Sequence, residues 1–281
     1  MALIVNSNIA SLNAQRNLGK SQMDLSTSMQ RLSSGLRINS AKDDAAGLFS
    51  AELMTSDIRG LNQAVRNAAD GISLAQTAEG AMSEIGNNLQ RLREIAVQSA
   101  NATTENRAGL QLEVDQLTQE ISRIVTTTEY NGKFVLSGGN NLTFQVGAKG
   151  QANNQITVTG VALETTLSAG GGFSADLAAT GIVDVDDAAN ASAAIAKLDT
   201  AIEALASTRS TYGAVQNRFD AVISNLQNYS ENLAAGRSRI QDADFAAETS
   251  KLTRAQILSQ AGTSIVAQAN QLPQAALSLL G

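Results

Sequence analysis

Three places in this sequence carry residues that could do chemistry. Asp43 and Asp44 are adjacent, and neighbouring carboxylates can serve as an acid–base pair or hold a cation. The plainer reading is a helix start. In Ser40-Ala41-Lys42-Asp43, Ser40 and Asp43 have the spacing of a capping box with Asp in place of Glu. Asp43 and Asp44 would then lie in the first turn, where the helix dipole favours negative charge. Asp184-Val185-Asp186-Asp187 begins like a calcium-binding loop, but Ala189 stands where that loop needs Gly, and Ile195 where it needs Glu. Acidic residues at a helix start account for it better. Gly147-Ala148-Lys149 lacks both the Gly-Lys-Ser/Thr order and the preceding glycine of a phosphate-binding loop. Asn141-Leu142-Thr143 and Asn190-Ala191-Ser192 match the glycan sequon, a match that is cheap by chance. The chain has no His and no Cys, so the commonest general base, thiolate nucleophiles, the usual zinc ligands and disulfides are all missing. No Ser or Lys stands in a recognisable catalytic context. The sequence therefore predicts no catalytic residue, no metal site and no cofactor.

The elements around these residues are helical at both ends and not in the middle. A chain of 281 residues with one Pro, no Trp, six Phe and three Tyr favours long helices with small side chains between them. In the first segment Leu18, Leu25, Met29 and Leu32 follow seven- and four-residue spacings, and Gly35 interrupts it. Ile58, Leu61, Val65, Ala68, Ile72, Ala75, Ala78, Met82, Ile85, Leu89, Leu92 and Ala96 form a heptad seam with one stammer at Ala75–Ala78. At 1.5 Å per residue such a helix is roughly 70 Å long. The seam pauses at Asn101-Ala102-Thr103-Thr104 and resumes at Leu110, Val114, Leu117, Ile121, Ile124 and Thr128. Asn131-Gly132 reads as a turn. Lys133–Leu136 and Leu142–Val146 then flank Ser137-Gly138-Gly139-Asn140-Asn141 as an expected β-hairpin.

Residues 150–187 break the composition, being rich in Gly, Thr, Ala and Asp; they read as a loop, a small β element or a partly disordered stretch. Ile156-Thr157-Val158-Thr159 alternates like a short strand. Helix returns near Ala188. Ile195, Leu198, Ile202, Leu205, Tyr212, Phe219, Ile223, Leu226 and Leu233 form a second seam with Arg209, Gln216 and Ser230 at polar positions, the obvious antiparallel partner for the first. After Gly236 a last helix repeats Leu258, Ile265, Leu272 and Leu279 every seven residues, with Gly262, Ala269 and Ala276 four after the first three. Both chain ends are amphipathic helices of modest length. Such helices are marginal alone in water, so they order only against something else.

The net charge of −6 is unevenly spread. Residues 1–42 carry Arg16, Lys20, Arg31, Arg37 and Lys42 against Asp24 alone, without an aromatic residue before Phe49. That is a solvated helix face and not a nucleic-acid site, which would want denser cations and stacking rings. No apolar run approaches the roughly 18 residues that span a bilayer. Met1-Ala2-Leu3-Ile4-Val5-Asn6 lacks the basic and apolar regions of a Sec signal. The expectation is a chain that stays in the cytoplasm or leaves by a route that reads no cleaved signal.

Long, ordered motifs at the two ends carry a family resemblance. Gln30-Arg31-Leu32-Ser33-Ser34-Gly35-Leu36-Arg37-Ile38-Asn39-Ser40-Ala41-Lys42-Asp43-Asp44-Ala45-Ala46-Gly47-Leu48 closely resembles the N-terminal signature of bacterial flagellin. Leu89–Asn101, Arg237–Phe245, Arg254–Leu258 and Gln268–Pro273 are similar to the same family. After Gly47-Leu48 the chain departs from the family pattern and reads Phe49-Ser50-Ala51-Glu52-Leu53. The resemblance implies a mainly α fold: a long antiparallel helical bundle or coiled coil with a small β-hairpin, and terminal helices that pair on assembly. It implies an inner-core helix and linker at 1–44, outer-core helices and hairpin at 45–149, and a short variable surface segment at 150–187. A returning outer-core helix at 188–235 and a C-terminal inner-core helix at 236–281 complete the chain.

The implied role is a non-enzymatic subunit that is exported unfolded through the flagellar type III apparatus and polymerises into the extracellular filament for swimming. The implied partners are further copies of the chain, the filament cap, hook–filament junction proteins, an export chaperone and host flagellin receptors. No nucleic acid and no membrane insertion are expected. Assembly contacts are expected at Leu18, Leu25, Met29, Leu32, Leu258, Ile265, Leu272 and Leu279. The plant-sensed segment corresponds to residues 30–51, with Gln30, Arg31, Leu32, Asn39, Ser40, Lys42, Asp43 and Asp44 in it. Arg91, Ile95 and Gln98 match positions sensed by the vertebrate receptor, and Asp115 stands where many stimulatory flagellins carry Glu. A junction protein with similar ends is the alternative within the structural class. An enzyme inserted between such ends is the alternative outside it, and the absence of His and the short middle argue against that.

Overall fold

A computed structural model of the chain describes residues 8–163 and 183–278, with the side chains of the last helix as far as Gln271. Its elements in order are α1 (Ile9–Ser34), α2 (Ala45–Ser99), α3 (Arg107–Thr127), β1 (Glu129–Tyr130), β2 (Lys133–Phe134), β3 (Leu142–Gln145), β4 (Gln155–Val158), α4 (Ala188–Gln241) and α5 (Phe245–Ser278). They form two compact units, one of residues 58–230 and one of residues 1–57 with 231–281.

In the unit of residues 58–230, the α2 seam is the core. Ala68, Ala75, Ala78, Met82, Ile85, Leu89, Leu92, Ile95 and Ala96 are all fully buried. The part of α4 in this unit runs antiparallel to α2, as a ladder of contacts shows. A Cβ added at Gly71 would lie 2.6 Å from the Phe219 ring, and one at Gly86 would lie 3.5 Å from Leu205. Between them Glu79 accepts a 3.0 Å hydrogen bond from Gln216 Nε2 and faces Arg209 at 3.7 Å. Further along, Arg93 pairs with Asp199. Two of the three polar seam positions expected on α4, Arg209 and Gln216, are thus joined to one carboxylate on α2.

The α4 seam itself is rotated from its expected line. Leu198, Leu205, Tyr212, Phe219 and Leu226 are buried as expected, but Ile195, Ile202, Ile223 and Leu233 are only partly so. Ala191, Ala194, Ala201 and Thr208 take the inner positions instead. Small side chains let the backbones approach closely, and the larger branched ones then fit at the flanks.

The β elements differ from the expected hairpin. Asn131 (φ 50°) and Gly132 (φ 71°) both take left-handed conformations, so they form the tight turn between β1 and β2. Gly138 (φ 78°) and Gly139 (φ 59°) turn the chain away, and β3 pairs with β4, Phe144 opposite Ile156. Residues 133–136 therefore do not pair with 142–146. Two-residue Asn-Gly turns match the strand twist, which a longer Gly-rich loop need not.

The composition break at 150–187 contains more core than expected. Ile156 and Val158 alternate inward on β4, and Leu163, Val183 and Val185 are buried. Residues 164–182 lie outside the described residues. At the start of α4, Asp184 accepts hydrogen bonds from the Asp186 amide and the Asn190 side chain. Those carboxylate oxygens serve a helix start, as the plainer reading of the cluster required.

In the other unit, Gly35 ends α1 in the left-handed conformation (φ 71°), and its N–H reaches the Arg31 carbonyl. The helix expected to start at Ser40 starts at Ala45. Asp43 Oδ2 takes the Asn39 and Ser40 amides and the Ser40 hydroxyl, closing a turn, and Asp44 then accepts from the Gly47 amide at 2.8 Å. Half of the capping box is present, but the cap is Asp44. The break expected at Gly236 is also absent. Gly236 sits inside α4 opposite Met54, 3.8 Å from a would-be Cβ, and the helix runs on to Gln241.

Asp244 caps α5, taking the Ala246 and Ala247 amides at 2.9 and 3.1 Å. Asp244→Ala should cost about 1 kcal/mol, as loss of an N-cap does. Amide exchange at Ala246 and Ala247 should speed up while exchange within residues 58–230 stays unchanged.

Candidate assembly surface

The packing of α1 on α5 rests on small residues. Along α5 the inward positions repeat every seven residues as Glu248, Ala255, Gly262 and Ala269. Ala255 and Ala269 are buried, and a Cβ on Gly262 would stand 3.2 Å from Leu18. Polar contacts pin the pair. Asn8 donates to the Ala269 carbonyl at 2.6 Å, Ser11 to Asn270 at 2.7 Å, and Ser28 to Glu248 at 2.7 Å.

With the small row turned inward, the large row at its flank is left half-open. Leu258 is 50 % and Ile265 53 % exposed, with Ile257 beside them. Ile9, Leu12, Met23 and Met29 are likewise exposed on α1. Of the residues expected to make assembly contacts, Leu18, Leu25 and Leu32 are half-buried, whereas Met29 leaves that stripe for solvent. The Leu272 side chain and all of Leu279 lie outside the described residues. A row of large apolar side chains left open after a helix pair has formed is a surface for another molecule.

Glu248 was not anticipated. It is 4 % exposed, receives Ser28 on one oxygen and Lys251 on the other at 3.0 Å, and lies near Arg31. Extending the seven-residue small row backwards from Ala269 reaches this position and could have found it. Burial alone would raise its carboxyl. The Ser28 and Lys251 hydrogen bonds, with the charges of Lys251 and Arg31, outweigh burial and hold it below the usual range.

A carboxyl depressed on folding contributes stability that is fully present above its unfolded value, about 4.3, and is lost as pH falls through the lower folded value. The α1–α5 pair should therefore loosen as pH falls below about 4.3. The check is amide exchange in α1 and α5 across that range. Glu248→Gln should weaken the pair at neutral pH and flatten this part of the dependence.

The residues expected to meet immune receptors are distributed unevenly. Gln30, Asn39, Ser40, Lys42, Asp43 and Asp44 are exposed, and Arg31 and Leu32 are half-buried. The Asn39 and Ser40 amides, then the Ser40 hydroxyl, lower the Asp43 carboxyl. On α2, Arg91 and Gln98 are exposed, but Ile95 is fully buried. Arg91 is held by Glu113 at 2.8 Å and Glu94 at 3.0 Å, which raises its already high pKa. Asp115 is half-buried and accepts from Gln111 at 2.9 Å. A partner reaching this helix would meet Arg91 and Gln98, with Ile95 acting only through the packing beneath them.

Comparison with known proteins bears on both units. A model of the bacterial flagellin N-terminal helical region matches residues 5–141, and one of the bacterial flagellin C-terminal helical region matches residues 195–280. A flagellin of Halalkalibacterium halodurans is 46% identical over 281 residues, covering 99% of this chain and 100% of its own. Flagellin B of Vibrio cholerae is 37% identical over an alignment of 376 residues that covers 100% of both chains. That alignment is longer than this chain, so it holds positions with no counterpart here. A solved flagellar hook-associated protein from Vibrio parahaemolyticus covers 71% of this chain and 100% of its own, at a TM-score of 0.59 and 14% identity. That last likeness is one of fold alone.

Proposed function

The chain belongs to the bacterial flagellin family, and we propose from that premise how this subunit reaches its filament and which surfaces build it. As a flagellin it is a structural subunit of the extracellular flagellar filament, serves motility and is not an enzyme. It leaves the cell unfolded through the flagellar type III apparatus, is held beforehand by an export chaperone, and is added beneath the filament cap onto hook–filament junction proteins. Residues 1–44 and 236–281 supply the inner layer. Residues 45–149 and 188–235 supply the next layer, and the exchangeable surface segment narrows to the inside of 150–187, since Ile156, Val158 and Val185 belong to a core.

The observation that carries this reading is the division of labour on α5. Its small row is used up against α1, and Leu258 and Ile265 remain open. Electron microscopy of purified chain seeded with short filament fragments tests assembly, and persistent monomers would overturn it. Export is tested in cells lacking the filament cap. The chain should accumulate in the medium and disappear from it when the flagellar export gate is removed.

The same subunit is a ligand of innate immune receptors in this reading. Exposure of Arg91 and Gln98 on α2, and of Asn39 to Asp44, supports it. Arg91→Ala should reduce signalling by the vertebrate receptor in cultured reporter cells, and a peptide of residues 30–51 should stimulate responsive plant cells. An inert peptide would remove the plant half of the proposal, with Phe49-Ser50 the first suspect.

A further inference from the structure

We infer that Met23, with Met29, is an oxidation site through which peroxide blocks polymerisation of unassembled subunits; this rests on the assembly reading above. The chain places its methionines in contrasting surroundings. Met82 is fully buried and Met54 packs against Gly236, whereas Met23 is 66 % and Met29 54 % exposed. Ile9, Leu12 and Met23 are spaced by three and then eleven residues, which puts them on one face of α1. All three are exposed, and Leu18, on another face, is the residue that meets Gly262 of α5. Met23 therefore sits on a face of α1 that the α1–α5 pair leaves open, with Ile9 and Leu12 on it and the exposed Arg16 and Lys20 between them and Met23. Met29 lies at the edge of the half-buried Leu18–Leu25–Leu32 line and is open as well.

A thioether in that position is apolar and flexible enough to fill an imperfect contact. It is also the side-chain group here that mild oxidants attack, because the chain has no Cys. The sulfur lone pair attacks one oxygen of hydrogen peroxide. An S–O bond forms as the O–O bond breaks, and the departing oxygen leaves as water after a proton shift. Sulfur is oxidised, peroxide is reduced, and a neutral thioether becomes a polar sulfoxide. In the open subunit that oxygen is solvated at no cost. In a contact between subunits it would have to be desolvated where the thioether had packed, which opposes joining the polymer. Leucine at the same positions keeps the apolar volume and cannot be oxidised.

The experiment treats purified full-length monomer with dilute hydrogen peroxide, maps the oxidised residues by peptide mass spectrometry, and follows seeded polymerisation. Met23 and Met29 should gain one oxygen each before Met82 does, and elongation should slow by about tenfold or more, as expected for losing one buried apolar side chain. Peptide mapping separates any oxidation of Met1. The Met23→Leu/Met29→Leu double variant should polymerise normally and keep doing so after the same treatment. The inference is overturned if Met82 reacts first, if singly mapped oxidation at Met23 and Met29 leaves elongation unchanged, or if the double leucine variant is equally blocked by peroxide. A Met23→Lys variant separates the two levels of the argument. Normal polymerisation with lysine would refute the assembly role of this face. A block by lysine without a block by sulfoxide would refute only the oxidation site.

Discussion

Ile265→Asp should yield a subunit that melts almost like the native chain and forms no filaments. Ile265 is 53 % exposed on α5, on the large row that flanks the small row packed on α1. A carboxylate there remains hydrated in the single chain, so it costs the α1–α5 pair little. Residues 58–230 hold their own core and should unfold at an unchanged temperature. In the proposed polymer Ile265 packs against a neighbouring subunit. The substitution would remove about 1.5–3 kcal/mol of apolar burial per contact. It would also strand a charge in a dry interface, at several kcal/mol more in practice. Because each subunit repeats the contact, no stretch of filament escapes the cost. Circular dichroism followed by seeded polymerisation separates the outcomes. Normal filaments would mean that this face makes no assembly contact, and a collapsed melt would place Ile265 in the subunit's own core.

Phe219→Ala should do the opposite, lowering the stability of residues 58–230 by about 3–5 kcal/mol, the range for removing a fully buried aromatic. Phe219 is fully buried, fills the space that Gly71 leaves open on α2, and meets the Phe144 ring edge-on at 5.6 Å and 85°. Alanine would empty a slot with glycine on its far wall, so neither side can close it. The matched change, Gly71→Val, should clash with the ring and destabilise the same unit. Urea unfolding followed at Tyr212, which is buried in this core and donates a 3.4 Å hydrogen bond to the Val135 carbonyl, reports it. A loss below about 1 kcal/mol would show that the helices close the gap and that Phe219 does not set their spacing.

The long α2 seam could be read from the sequence because apolar residues recur there at 3-4 spacing, and the buried set follows it from Ala75 to Ala96; before that, Ala64 and Leu74 are buried where Val65 and Ile72 were expected. The left-handed end at Gly35 and the turn at Asn131-Gly132 were legible for a related reason, since few residues accept those conformations. The inner line of α4 was not. Ala191, Ala194 and Ala201 carry too little hydrophobicity to stand out beside Ile195 and Ile202, although close helix packing selects the smaller side chain. Strand pairing failed because the nearest partner in sequence, 133–136, was preferred over 155–158, and two glycines with positive φ decide against it. The helix start at Ala45 was displaced by the choice between neighbouring Asp residues, and the break was expected at Gly236, where the helix runs on to Gln241. Asp43 and Asp44 differ in role only through which amides each one reaches. Among the candidate site residues, Leu258 and Ile265 were read by period alone and are exposed, whereas Met29 and Ile95 show that a residue can share a motif yet face the other way.

In the proposed filament α5 uses its small row within the subunit and its large row between subunits. A helical reconstruction of filaments grown from this chain alone, at a resolution that shows side chains, tests it most directly. Gly262 and Ala269 should lie against the subunit's own α1, with Leu258 and Ile265 buried against a helix of a neighbouring copy. Filaments in which Leu258 and Ile265 face water, or in which Gly262 rather than Ile265 meets the neighbour, would contradict it.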